Sequence, residues 1–73
     1  MDLNIKFGKI IKELRIERGL SQEELGHKAG LHRTYIGMIE RAEKNITIEN
    51  INKLSKALGV PLSSIFLRVE KYG

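Results

Sequence analysis

Apolar residues recur along the chain at three- and four-residue intervals, and strand-like alternation is scarce. Phe7, Ile10, Ile11 and Leu14 follow at i, i+3, i+4 and i+7, with Lys6, Lys9, Lys12 and Glu13 on the wet side. Asn4 is placed to cap this first helix and Gly19 to close it, which predicts helix over about residues 5–18. Ser21-Gln22-Glu23-Glu24 has the capping-box pattern, in which Ser21 and Glu24 satisfy each other's backbone N–H. Leu20, just before it, can pack toward Leu25 as a hydrophobic staple. The second helix then runs to about Ala29 and buries Leu25 and Ala29. Gly26 weakens that helix by up to about 1 kcal/mol relative to Ala, which points to a close crossing with a neighbouring helix. Gly30 ends it in the left-handed conformation and Leu31 plugs the core. A third helix follows at about residues 32–40, then a polar loop, Ala42 to Ile46, with Ile46 as its apolar anchor. Thr47 caps a fourth helix, where Ile48, Ile51, Leu54, Ser55 and Leu58 share one spacing and Gly59 closes it. Pro61 suits the start of a short fifth helix from Leu62 to about Leu67, carrying Ile65 and Phe66. Residues 68–73 show no clear period and are expected to fray.

These elements predict one all-α domain of five short helices spanning residues 1–73, with a core over about 5–67. Helices two and three, joined by a tight glycine turn, form a helix-turn-helix, in which the second helix reads a DNA groove. On a wheel with Arg33 at zero, Tyr35, Ile36 and Ile39 cluster between roughly 200° and 300°, the buried side. Thr34, Gly37 and Arg41 cluster between roughly 40° and 100°, nearly opposite, with Arg33 and Met38 on the margins. A helix that buries two isoleucines and turns Arg, Thr, Gly and Arg outward suits a major groove.

Size and charge sharpen this reading. A chain of 73 residues without cysteine is near the lower limit for a self-sufficient core and has no disulfide to staple it. Efficient helix packing, self-association or both must supply stability. The net charge of +4 and pI of about 9.6 favour an anionic partner. Apolar runs are too short to span a bilayer, and the first residues lack the basic and apolar regions of a signal peptide. A cytoplasmic protein without a membrane partner is therefore expected. His27 and His32 are five apart, not the facing spacing of a metal-binding pair, and no third ligand is evident. No nucleophile–base motif or phosphate-cradling glycine loop is present, so neither catalysis nor a cofactor is expected.

Each residue of the outward face carries a chemical expectation beside a plainer one. Arg33 can meet guanine O6 and N7 with its planar fork, or a phosphate; a solvated arginine at a helix start would oppose the dipole there. Thr34 can touch a thymine methyl or bond a base, or bond its own backbone. Gly37 permits close approach of backbone to DNA, or is tolerated drift. Arg41, Lys44, Asn45 and Thr47 cluster after the third helix, where basic groups can neutralise phosphates; Arg41 can equally pair with Glu40 or Glu43. Ser21 and Gln22 stand at a helix start whose N–H groups favour an anion. One short helix reads few base pairs, so a two-fold homodimer on a palindromic operator is expected. Ile48, Leu62, Ile65, Phe66 and Leu67 are its expected apolar patch, the alternative being that they cap the core of one chain.

The run Leu20-Ser21-Gln22-Glu23-Glu24-Leu25, Ala29-Gly30-Leu31 and Tyr35-Ile36-Gly37-Met38-Ile39-Glu40-Arg41 resembles the Cro/CI-type (XRE-like) helix-turn-helix family, with its lambda-repressor-like five-helix fold. More narrowly, His32-Arg33-Thr34-Tyr35-Ile36, Ile39-Glu40-Arg41 and Asn45-Ile46-Thr47-Ile48 resemble restriction–modification controller proteins. The resemblance implies a small homodimeric regulator of double-stranded DNA operators. Such a protein activates its own and the endonuclease gene at low occupancy and represses them at high occupancy, with RNA polymerase a further candidate partner. It implies that Gln22 bonds a phosphate and braces the third helix, and that Tyr35, Lys44 and Asn45 approach DNA. It also implies an ion pair between Arg15 and Glu40. Gly37 departs from the family, which often carries serine there, and so does Pro61, where a polar cap is more usual. Two other readings stay open: a phage-type or orphan repressor, and an antitoxin or other protein-interaction module.

Overall fold

The computed structural model describes residues 2–72. It contains five helices and, among the described residues, no strand: α1 Leu3–Glu17, α2 Gln22–Ala29, α3 Arg33–Glu40, α4 Ile48–Leu58 and α5 Leu62–Lys71. Three of the helices, α1, α2 and α4, begin where short polar side chains meet free backbone N–H groups. Asp2 caps α1, its carboxylate accepting from the Ile5 N–H at 3.0 Å. The expectation that Asn4 does so is therefore corrected. Asn4 lies one residue inside the helix and its amide donates to the Asn45 side chain at 2.5 Å. At α2 both halves of the capping box form: Ser21 Oγ accepts from Glu24 N at 3.0 Å, and Glu24 Oε1 accepts from Ser21 N at 2.9 Å. Thr47 Oγ1 caps α4, accepting from Asn50 N at 3.1 Å.

The core draws on every helix. Phe7, Ile10, Ile11 and Leu14 of α1 meet Leu25 and Ala29 of α2, Ile36 and Ile39 of α3, Ile51, Leu54 and Leu58 of α4, and Ile65 and Val69 of α5. The last helix continues four residues past Leu67 because Val69 is buried and Tyr72 packs against the core. Leu62, Ile65, Val69 and Tyr72 share a helical stripe that the charged residues Arg68, Glu70 and Lys71 interrupt in the linear sequence, so the expected fraying at 68–72 is corrected. Residue 73 lies outside the described residues.

Two glycines mark close approaches. A Cβ on Gly8 would stand 2.5 Å from the Ile39 carbonyl oxygen and 2.8 Å from that of Glu40, so α1 crosses the end of α3 backbone against side-chain-free backbone. Gly26 does not mark a helix crossing, as its position had suggested. Its missing side chain makes room for the turn to α3, where a Cβ would collide with the Leu31 carbonyl oxygen and lie 3.2 Å from Arg33 N. The Leu31 N–H closes that turn onto the Gly26 carbonyl at 2.8 Å.

Candidate nucleic-acid interface

The short helix α3 is held from three sides. Ile36 and Ile39 are buried, and His32 caps its start, Nδ1 accepting from Thr34 N at 3.0 Å. Its last residue, Glu40, is the hub of a polar network. Arg15 Nε donates to Glu40 Oε2 at 2.7 Å and Arg15 Nη2 to Oε1 at 3.1 Å, while Arg15 Nη1 donates to the Leu20 carbonyl at 2.8 Å. Gln22 Nε2 also donates to Glu40 Oε1, at 3.1 Å. Side-chain exposure is 12% for Arg15 and 3% for Glu40, so the pair is largely withdrawn from water. Such a pair holds position when its charges are matched and its hydrogen-bonding capacity is met. It ties α1, the start of α2 and the end of α3 together.

Arg33 and Thr34 are exposed on the side of α3 away from the core. Arg33 Nη1 rests 3.2 Å from Glu23 Oε2, with exposures of 63% and 72%, a solvated pair that constrains little. Tyr35 is half-buried, and its phenolic oxygen accepts from Asn50 Nδ2 at 2.8 Å, which ties α3 to α4 and leaves the phenolic proton available to donate. Met38 is half-buried. Gly37 is covered by its neighbours: its missing Cβ would stand 3.0 Å from Arg41 Nη1 and 3.4 Å from Gln22 Oε1. Arg41 forms a fork pair with Glu43, both bonds at 3.1 Å. That contact draws the Glu43 carboxyl below its ordinary range, and the Ser21 backbone N–H does the same for Glu24. Lys44, Asn45, Thr47 and Ser21 are exposed, and the hydroxyl oxygens of Ser21 and Thr47 are engaged as caps.

The structure brings Ser21, Gln22, Arg33, Thr34, Gly37 and Arg41 to the α2–α3 unit, with Lys44, Asn45 and Thr47 on the segment that leaves it. His32 and Asn50 were missed as supports. Histidine is not among the usual N-cap residues, and nothing local ties Asn50 to Tyr35, so neither left a signal in the sequence. The apolar patch is less uniform than expected. Ile48 is 72% and Leu67 51% exposed, and Phe66 stands partly exposed with its ring nearly perpendicular to that of Phe7, centroids 5.4 Å apart. Leu62 is half-buried. Ile65 is fully buried in the core of its own chain, so its side chain has no surface to give a partner.

A short anchored helix behind a glycine turn, with Arg and Thr outward, defines a helix-turn-helix protein. The chain belongs to the helix-turn-helix family, whose sequence pattern matches residues 11–65. Within it, the chain is similar to control protein C.MunI of Mycoplasma sp, 41% identical over 71 residues, covering 96% of each chain. It is also similar to control protein C.BamHI of Bacillus amyloliquefaciens, 43% identical over 60 residues, covering 81% of this chain and 74% of that one. The crystal structure of the restriction–modification controller protein C.AhdI from Aeromonas hydrophila superposes with a TM-score of 0.84 at 43% identity, covering 86% of this chain and 96% of the other.

Proposed function

We propose that the protein is a sequence-specific regulator of transcription that binds double-stranded DNA, of the restriction–modification controller kind. Its α3 enters the major groove, Arg33 and Thr34 meet base edges, and Ser21, Gln22, Arg41, Lys44, Asn45 and Thr47 meet phosphates. The carrying observation is the Arg15–Glu40–Gln22 network, which fixes the orientation of a helix whose outer face carries exposed Arg33 and Thr34. Similarity to control proteins over 86–96% of the chain supports the same reading.

Two copies related by a two-fold axis would present two such helices to a palindrome. The exposed Ile48, Phe66 and Leu67, with part of Leu62, are the proposed dimer surface. Dimerisation makes operator occupancy nonlinear in protein concentration, which suits a regulator that activates at low occupancy and represses at high occupancy. RNA polymerase is the partner through which activation would act. Selection of bound duplexes from a random pool, at stated salt, tests this with wild type and Arg33→Ala. A palindromic motif with half-sites about one helical turn apart, weakened by the substitution, is expected. An unenriched pool would overturn the reading in favour of a protein-binding module.

A further inference from the structure

Arg41 stands at the end of α3, away from the N-terminal residues that reach base edges. Its guanidinium nevertheless lies back along the helix. Nη1 sits 3.0 Å from the point where a Cβ on Gly37 would be, and Gln22 Oε1 is 3.4 Å from the same point. A Cβ at 37 would press on the guanidinium and make it give by a few tenths of an ångström. The other edge of the guanidinium, Nε and Nη2, is filled by both oxygens of Glu43 at 3.1 Å each. Glu43 reaches that position because the chain reverses at Ala42, with φ at +59°, and the Glu43 N–H returns to the Met38 carbonyl at 2.8 Å. A carboxylate and a phosphate fit the guanidinium fork in the same two-bond manner. With exposures of 56% and 52% the pair is open to exchange.

We propose that Gly37, Arg41 and Glu43 form a phosphate-exchange device. The vacant side of Gly37 seats the Arg41 guanidinium on the outer face of α3, and the Glu43 carboxylate holds, in the free protein, the fork that a DNA backbone phosphate takes in the complex. This rests on the DNA-binding reading above and adds two residues to it: Gly37 as a positioning residue and Glu43 as an internal competitor. Neither reads a base, so the device sets affinity and its salt dependence, not the motif.

Fluorescence anisotropy of the full chain on a selected duplex and on random duplex, across a salt series, tests it. Arg41→Ala weakens both by about three- to ten-fold and lowers the salt slope by about 0.9, the share of one phosphate. Glu43→Gln tightens both by about two- to five-fold at low salt. Gly37→Ala weakens binding although alanine favours the helix, and thermal melting checks that each variant is folded. In an Arg41→Ala background, neither Glu43→Gln nor Gly37→Ala has a further effect. The device is overturned if Glu43→Gln tightens binding equally without Arg41, since that is general charge repulsion. It is also overturned if Arg41→Ala flattens one motif position and leaves the salt slope alone. Absence of duplex binding by the wild type would overturn the DNA reading itself, and the device with it.

Discussion

Removing Arg15 probes the network that orients α3. Arg15→Ala deletes the 2.7 Å and 3.1 Å bonds to Glu40 and the 2.8 Å bond to the Leu20 carbonyl. Glu40, 3% exposed, is left with the Gln22 amide as its hydrogen-bond partner in the network. Breaking a buried ion pair by removing one partner costs about 3–5 kcal/mol. Arg15 keeps 12% exposure and the vacated space opens toward water, so the lower end, about 3 kcal/mol, applies here. A domain of 73 residues has roughly 4–11 kcal/mol in total, so this is a large fraction of it. The melting temperature should fall by roughly 12–24 °C at the usual slope for this size. Urea and thermal denaturation followed by circular dichroism measure both quantities. Glu40→Gln, alone and with Arg15→Ala, completes a double-mutant cycle, for which a coupling of about 2 kcal/mol is expected. A cost for Arg15→Ala below about 1 kcal/mol, with no coupling, would place the pair among ordinary surface bridges with no role in holding α3.

Other substitutions probe the turn after α3, the core, the exposed apolar patch and the α2 cap. Ala42→Gly relieves a left-handed residue and should stabilise by about 1 kcal/mol in the same melts, the gain reduced by glycine's freer unfolded chain. Ile65→Ala should cost about 2–5 kcal/mol as a core cavity, whereas Leu67→Lys should leave the melt of the monomer nearly unchanged and weaken self-association in sedimentation equilibrium. The Glu24 carboxyl is held below its ordinary value of 4.5 by the Ser21 N–H, so its contribution is full above that value. It is lost as pH falls through the lowered folded value, and Glu24→Gln should remove this part of the acid sensitivity in melts recorded between neutral and acid pH.

The helical repeat made the five elements legible, because Phe7-Ile10-Ile11-Leu14 and Ile51-Leu54-Leu58 keep one face apolar without interruption. Capping chemistry fixed the starts at Ser21 and Thr47, where one short polar residue precedes the stripe. At α1, Asp2 and Asn4 both have capping side chains, and the choice depends on where the first turn begins. The end of α5 was hidden because Val69 and Tyr72 sit among charged residues, and because only tertiary packing shows that the core needs Val69. Ile65, expected in the apolar patch, follows the alternative for a related reason: the fifth helix supplies part of the core, which linear spacing does not show. The crossing at Gly8 and the seat at Gly37 depend on which segments approach, a property of the assembled fold. Resemblance pointed to the Arg15–Glu40 pair, 25 residues apart, and to Gln22 as a brace of the third helix; the structure joins the three through Glu40.

In the proposed function, the outer face of the α2–α3 unit meets DNA. Chemical-shift mapping of isotopically labelled protein, titrated with a duplex carrying the selected motif, tests it most directly. The largest changes are expected at Ser21, Gln22, Arg33, Thr34, Gly37 and Arg41, with further changes at Lys44, Asn45 and Thr47. Changes concentrated instead on α1 or α5, with Arg33 and Thr34 unmoved, would contradict it.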